Sequence, residues 1–180
     1  MAEAYRIHPL ADRLFAGRGA SLRPCPPAER ISLRATDDSL AGIGAALGLD
    51  LPARPKASAS ANGVTALWLG PDEWLLIGPE GSGLAGRLAG FNSAVASVVE
   101  ISHRNTAFTI EGANAEAVLA AGCPQDLSLL KFPVGACSRT ILAKAEIVLL
   151  REAADRFRVE GWRSFSEYVW NYCVDSAKSA

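Results

Sequence analysis

The order of predicted elements repeats once along the chain, and this repeat limits the possible folds more than any other feature. In each half the hydrophobic pattern predicts a strand and a helix, then a β-hairpin with an acidic turn. Asp72 and Asp155 occupy the two corresponding turns, although the halves share few identical side chains. Mixed strands and helices with short connections favour an α+β fold, in which helices cover one face of an antiparallel sheet. We therefore predict two related halves, at about residues 30–104 and 105–180.

Turn and cap residues set the predicted boundaries within each half. The first half is predicted to contain a strand at 31–35, a helix from Asp37 and Asp38 to Gly48, a loop at 52–62, strands at 64–69 and 74–77, a helix at 84–91 and a strand at 94–101. The second half is predicted to contain strands at 106–111, 138–142, 146–151 and 156–160, and a helix at 114–121.

The closing helix has a clear start signal in its sequence. Ser164 and Glu167 have the Ser-x-x-Glu spacing of a capping box. The predicted buried stripe contains five residues at helical spacing, which are Phe165, Tyr168, Val169, Tyr172 and Cys173. Trp170 projects away from that stripe, so the sequence predicts that it anchors an interface with another chain.

The first 29 residues are predicted to form an extended arm. Four prolines, Pro9, Pro24, Pro26 and Pro27, disfavour a helix or a central strand there. The arm also carries the apolar residues Tyr5, Ile7, Leu10 and Phe15. It is therefore either frayed or packed on a partner chain, and these four residues are candidate interface residues.

Charge and composition disfavour several classes of partner. The chain has 18 Lys and Arg against 19 Asp and Glu, so it lacks a field that would attract nucleic acid or anionic lipid. No signal peptide or apolar run of membrane-spanning length is recognised, which predicts a cytoplasmic protein without a membrane partner. The four cysteines are scattered without a CxxC pair, so we expect no metal site.

A glycine-rich segment at residues 81–86 reads GSGLAG and matches the GxGxxG spacing of dinucleotide-binding loops. In such loops a full helix and a second strand separate the glycines from a downstream acidic residue. Here Gly90 and Asn92 interrupt the helix, and Glu100 is the only acid at a suitable strand position. The segment is therefore either a dinucleotide site or, as we expect, a turn that uses the conformational freedom of glycine.

His103 and Arg104 follow a predicted strand, where functional polar residues often lie. Without a recognisable nucleophile or carboxylate partner, His103 is a weak candidate for acid or base catalysis. A structural hydrogen bond or a place in an interface is the favoured interpretation. We therefore assign no catalytic residue, and count both residues among the candidate interface residues.

Five segments carry a family resemblance. VVEISHRN at residues 98–105, FTIEG at 108–112 and CPQDL at 123–127 resemble the folate-dependent aminomethyltransferase superfamily. LGPDEWLL at 69–76 and RSFSEY at 163–168 resemble the narrower family of γ subunits of heterotetrameric sarcosine oxidase. The resemblance extends from about Arg30 to the C-terminus.

The resemblance implies an aminomethyltransferase-like α+β lobe of two ferredoxin-like halves with antiparallel sheets. It implies a complex with α, β and δ subunits that oxidises sarcosine to glycine, forms hydrogen peroxide and passes the one-carbon unit to tetrahydrofolate. FAD, FMN, NAD and tetrahydrofolate are expected on the partner subunits, and none on this chain. Folate-using relatives have a Gly-Gly turn and paired aspartates in the later hairpin, but residues 141–148 here contain no aspartate. A noncatalytic subunit is therefore expected; the alternatives are a standalone folate-binding protein and a dinucleotide-binding module.

Overall fold

The computed structural model describes residues 8–91 and 96–180. The strands are β1 (Phe15–Ala16), β2 (Ser21–Pro24), β3 (Ala28–Ala35), β4 (Ser58–Ala61), β5 (Val64–Gly70), β6 (Glu73–Pro79), β7 (Ala96–Glu100), β8 (Asn105–Glu111), β9 (Cys137–Leu142), β10 (Ala145–Ala153) and β11 (Arg156–Trp162). The helices are α1 (Asp37–Leu47), α2 (Leu84–Leu88), α3 (Ala115–Ala120) and α4 (Ser166–Ser179), with 3₁₀ turns at Ala89–Phe91 and Arg163–Phe165. Within the described residues, no helix is both long and apolar enough to cross a membrane.

The strands form two antiparallel sheets, which confirms the predicted α+β class. The first sheet has the order β4-β5-β6-β3-β7, and the second has the order β1-β2-β8-β11-β10-β9. The hairpins β5–β6 and β10–β11 turn at the predicted positions, next to Asp72 and Asp155. Gly48 has the predicted left-handed conformation, with φ 61°, and ends α1. Residues 58–61, predicted to lie in a loop, instead form the edge strand β4 against β5.

Alternating residues of the central strands belong to different cores, and this alternation defines the layers. On β6, Trp74 and Leu76 pack with α1 and α2, whereas Leu75 belongs to a core shared by both sheets. On β10, Leu149 packs with the core that contains α3 and α4, whereas Val148 belongs to the shared core. Because successive strand residues face opposite sides of a sheet, the two sheets stack face to face with the helices outside.

The prediction of a separate N-terminal arm is wrong for the described part of that segment. β2 pairs with β8, so that Ser21 lies opposite Glu111 and Leu22 lies opposite Ile110 in the second sheet. Leu10 and Leu22 are completely buried in the second-sheet core. The prolines correctly exclude a helix, but extended backbone also suits a short strand, and Pro24 lies at the end of β2 where a strand tolerates it.

The predicted start and buried face of the closing helix are also wrong. The helix begins at Ser166, after a 3₁₀ turn, and no side chain caps its N-terminus. Glu167 instead forms an ion pair with Arg13. The buried face contains Val169, Trp170, Cys173 and Ala177, so it is rotated by about one residue from the predicted stripe.

Candidate functional site

The glycine-rich segment binds a carboxylate of its own chain. Gly81 and Gly83 have φ angles of 77° and 67°, which suit glycine. Glu29 accepts hydrogen bonds from the Ser82 hydroxyl (3.0 Å) and from the N–H groups of Gly83 (3.2 Å) and Leu84 (2.6 Å). Desolvation raises the pKa of Glu29, but these donors together hold it below its ordinary value. The donors that a phosphate would need are thus already occupied, and the segment behaves as a structural turn.

A buried ion pair joins the two sheets. Arg30 of β3 donates to both carboxylate oxygens of Glu160 on β11, at 2.7 and 3.2 Å. The two side chains are only 3% and 1% exposed. Arg158 also contacts Glu160, at 2.7 Å. The carboxylate is therefore held between two guanidinium groups in the interior, where it links the sheets.

A second ion pair joins the sheets nearer to solvent. Arg139 of β9 donates to Glu73 of β6 at 3.0 Å, and Arg34 donates to the same carboxylate at 3.1 Å. The hydrogen bond from Arg139 is the main reason that the pKa of Glu73 lies below its ordinary value. A carboxylate with a lowered pKa is a weak proton acceptor near neutral pH, so this group suits bracing better than catalysis.

A small cleft lies between the two sheets next to Arg139. Trp74, Arg139, Glu146, Glu160 and Trp162 are among its lining residues. Its enclosed space is about 30 Å³, which is room for one or two water molecules. Glu146, the only acid within residues 141–148, lies 3.9 Å from the Arg139 guanidinium. The carboxylates around the cleft therefore each lie beside an arginine.

Burial limits the reactivity of Cys137 and Cys173. All four cysteines are reduced and buried. Burial raises the pKa of Cys137 and of Cys173 to about 12, so both stay protonated at neutral pH. Among residues 8–91 and 96–180, no group of three His, Cys, Asp or Glu side chains is placed to hold a metal ion.

The structure separates the predicted interface residues into three groups. Leu10 is fully buried, and Trp170 is 4% exposed with its ring edge-on to Phe108 at 5.3 Å, so both belong to the chain's own core. Their assignment to an interface is wrong, since neither offers its side chain to another protein. Phe15 is partly buried against the same core. His103 and Arg104 are exposed in the turn between β7 and β8. The remaining two predictions, Tyr5 and Ile7, lie outside the described residues.

A surface of aromatic side chains lies beside Arg104 and was missed by sequence reasoning. Trp162, Phe165 and Tyr168 are 41%, 44% and 42% exposed. The rings of Trp162 and Phe165 are 6.2 Å apart, and the Arg104 guanidinium lies 5.3 Å from the centre of the Trp162 ring. We call Arg104, Trp162, Phe165 and Tyr168 the aromatic surface. Tryptophan, tyrosine and arginine are the residues that most often dominate binding energy at protein interfaces.

The aromatic surface was missed because the predicted buried face of α4 was wrong. Phe165 and Tyr168 were both predicted to face the core, whereas the observed rotation turns them outward. Their spacing of three residues does place them on one side of the helix start. The N–H of Arg163 donates to the Arg104 carbonyl at 2.7 Å, which fixes the turn that carries Arg104 against the end of β11.

Comparison with known proteins identifies similar chains. Residues 34–179 match the model of the sarcosine oxidase gamma subunit family. Sarcosine oxidase subunit gamma of Arthrobacter sp. is 34% identical over 174 residues, which cover 93% of this chain and 86% of the relative. A chain of heterotetrameric sarcosine oxidase from Corynebacterium sp. U-96, solved in complex with pyrrole 2-carboxylate, superposes with a TM-score of 0.88 at 30% identity, over 97% of this chain and 95% of that one.

A more distant structure confirms the aminomethyltransferase-like fold. Aminomethyltransferase T of the glycine cleavage system from Bartonella henselae superposes with a TM-score of 0.64 at 16% identity. The match covers 88% of this chain and 46% of that protein. This likeness concerns the fold alone.

Proposed function

The chain belongs to the sarcosine oxidase gamma subunit family, and on this premise we propose that it is a noncatalytic subunit of a cytoplasmic heterotetrameric sarcosine oxidase. It acts as one aminomethyltransferase-like domain that packs against α, β and δ subunits. The assembly oxidises sarcosine to glycine and passes the one-carbon unit to tetrahydrofolate. FAD, FMN, NAD and tetrahydrofolate bind the partner subunits.

The aromatic surface is the observation that carries this proposal. Within the described residues, three large aromatic side chains beside an arginine are each about two-fifths exposed. Aromatic rings and Arg side chains supply large contact areas with few rotatable bonds, which favours binding to another protein. His103 adjoins Arg104 in the same exposed turn and is proposed as a further contact of this interface.

The inter-sheet region supports a bracing role over chemistry. Glu73 and Glu160 form ion pairs that connect the sheets, and the enclosed space of about 30 Å³ is far smaller than the pockets of several hundred Å³ that hold organic ligands. Glu146 lies on β10, in the hairpin where the aminomethyltransferase resemblance implies paired aspartates, and its carboxylate is 3.9 Å from the Arg139 guanidinium. The local groups are thus used to hold two halves together.

Coexpression tests the subunit assignment. The chain, produced with the α, β and δ subunits and purified through a tag on α, is expected to copurify in stoichiometric amount. A triple variant Trp162→Ala, Phe165→Ala, Tyr168→Ala is expected to be lost from the complex while remaining folded by circular dichroism. The matched control is Leu14→Ala, at an apolar residue that is 60% exposed. Failure of the unmodified chain to copurify would refute the subunit role.

Folate titration separates this proposal from an independent folate-binding protein. The purified chain is titrated with tetrahydrofolate by calorimetry. A noncatalytic subunit is expected to give no saturable heat, because its cleft is too small and its acids are paired with arginines. Saturable binding by the chain alone would favour the alternative function.

A further inference from the structure

A second surface combines exposed leucine and valine side chains with positive charge. In the loop between α3 and β9, Leu129, Leu130 and Val134 are 51%, 84% and 55% exposed. We call these three residues the loop patch. Scattered exposed apolar residues are ordinary, but three within six positions of one loop concentrate apolar side chains locally, as interaction sites do.

The loop that presents the patch is held by internal contacts. Asp126 accepts a hydrogen bond from the Ser128 N–H at 2.9 Å, and the Ser128 carbonyl accepts from the N–H groups of Lys131 (3.0 Å) and Phe132 (2.8 Å). Phe132 is fully buried and stacks on Phe157, with ring centres 6.5 Å apart. A surface fixed before binding loses less conformational entropy when a partner docks.

The far end of the loop is fixed to both sheets. The N–H of Gly135 donates to the Arg151 carbonyl at 2.9 Å. The Gly135 carbonyl accepts a hydrogen bond from the Ser58 hydroxyl at 2.6 Å. The N–H of Cys137 donates to the Lys56 carbonyl at 2.8 Å, which fixes the segment before β4 beside the loop. Val134 therefore lies next to the segment that carries Lys56.

Three cations lie in the same groove as Val134 of the loop patch. An open groove of about 490 Å³ is lined by Arg54, Lys56, Lys131 and Val134 among other residues. Hydrogen bonds from Ser128 lower the pKa of Asp126, and the charges of Lys131 and Lys56 lower it further. Three cations and Val134 therefore share one groove, and the Asp126 carboxylate lies close enough to Lys131 and Lys56 to be affected by their charges. We call Arg54, Lys56 and Lys131 the basic rim.

We infer that the loop patch and its basic rim are a second docking surface, which binds an acidic, apolar-centred surface of another subunit of the oxidase. An apolar centre with a charged border is the usual arrangement of a protein interface. Complementary charge requires carboxylates on the partner, and a second copy of this chain would oppose like charges. The inference rests on the proposed subunit role, but it shares no residue with the aromatic surface.

Lysine labelling of the assembled complex tests this inference. The chain has four lysines, with Lys56 and Lys131 at the surface in question and Lys144 and Lys178 elsewhere. All four are exposed in the chain by itself. The purified complex is acetylated in its native state and again after unfolding, and each site is quantified by mass spectrometry. We expect loss of native labelling at Lys56 and Lys131, with Lys144 and Lys178 as internal controls.

The lysine-labelling experiment also tests the second docking surface separately from the subunit role. If the complex assembles but Lys56 and Lys131 react as readily as the control lysines, the second docking surface is refuted and the subunit role stands. A zero-length carbodiimide cross-link from Lys56 or Lys131 to a carboxylate of another subunit would support the acidic partner. Cross-links only to Asp126 of the same chain, or to a second copy of it, would refute that partner.

Charge reversal gives an independent measurement. Lys131→Glu is expected to weaken retention in the complex, with a difference that shrinks as salt increases, whereas Lys144→Glu is expected to have no effect. Leu130→Asp removes an apolar contact from the centre and is expected to weaken binding by about tenfold or more. The inference would be overturned if Lys131→Glu and Leu130→Asp were retained in the complex as well as Lys144→Glu.

Discussion

Replacing Glu160 by glutamine tests how the two sheets are joined. Its carboxylate binds Arg30 of the other sheet at 2.7 and 3.2 Å and Arg158 at 2.7 Å. Glutamine keeps the shape of the side chain but removes its charge, so that Arg30, which is 3% exposed, stays buried without a counter-ion. Removing one partner of a buried ion pair destabilises proteins by about 3–5 kcal/mol. We expect Glu160→Gln to lower the free energy of unfolding by that amount.

Urea unfolding followed by tryptophan fluorescence measures this loss, and thermal unfolding should show a decrease of about 6–20 °C in Tm for a chain of this size. The control is Asp72→Asn, which breaks the exposed pair of Arg34 and Asp72 and should cost less than about 1 kcal/mol. The double variant Arg30→Met, Glu160→Leu should be less destabilised than Glu160→Gln, because neither charge of the pair remains. A loss in Glu160→Gln no larger than in Asp72→Asn would refute the reasoning.

Three further predictions concern local contacts. Burial, with the charges of Arg30 and Arg163, keeps the pKa of His8 below 6.5, so its neutral form favours folding. That contribution is complete above pH 6.5 and is lost as pH falls toward the lowered pKa. The unmodified chain should therefore lose free energy of unfolding between pH 6.5 and about pH 5.5, and His8→Gln should lose less over the same range. Glu29→Gln should lower the free energy of unfolding by about 0.5–2 kcal/mol in urea, because the N–H groups that begin α2 lose a charged acceptor. Trp170→Ala should cost about 3–5 kcal/mol in the same assay, whereas Tyr168→Ala at an exposed position should change it by less than about 0.5 kcal/mol; equal effects would contradict the observed rotation of α4.

Local signals explain which parts of the fold could be predicted. The hairpin turns at Asp72 and Asp155 and the cap at Gly48 depend on a few adjacent residues, and all three were placed correctly. The pairing of β2 with β8 joins Ser21 to Glu111, far apart in the sequence, and extended backbone alone does not reveal its partner. A prediction from local pattern therefore recognised the conformation of this segment but not its place in the sheet.

The prediction of the buried face of α4 was wrong for a different reason. Tyr168, Trp170 and Tyr172 alternate along α4, so aromatic residues occur on more than one side of the helix. Hydrophobic spacing then permits two faces about one residue apart, and only the contact of Trp170 with Phe108 decides between them. The aromatic surface could be found only after that choice, because the same rotation exposes Phe165 and Tyr168.

Cross-sheet chemistry was equally inaccessible to sequence reasoning. Arg30 and Glu160 lie 130 residues apart and meet only because the two sheets stack. Glu29, by contrast, lies near the start of β3, but nothing local indicates that it reaches the N–H groups of Gly83 and Leu84. The absence of an aspartate in the later hairpin could be read from the sequence, whereas the ion pairs of Glu73, Glu146 and Glu160 with arginines required the structure.

The buried pair is connected to the aromatic surface through one short covalent path and one path that includes a hydrogen bond, which predicts that they are coupled. Glu160 precedes Trp162 by two residues on β11. On the other side, the Ser102 hydroxyl accepts a hydrogen bond from the Arg30 N–H at 2.9 Å, and Arg104 follows two residues later. We therefore expect the position of Arg104 over the Trp162 ring to depend on the contacts that hold the sheets together.

Glu160→Gln should therefore weaken assembly as well as stability. At a temperature where circular dichroism shows the variant to be fully folded, we expect its retention by the tagged complex to fall below that of the unmodified chain. Trp170→Ala provides the control, because it is expected to be destabilised by a similar amount through a core cavity on the other face of α4. If both variants, folded, are retained equally well, the buried pair stabilises the fold without positioning the aromatic surface, and the proposed coupling is wrong.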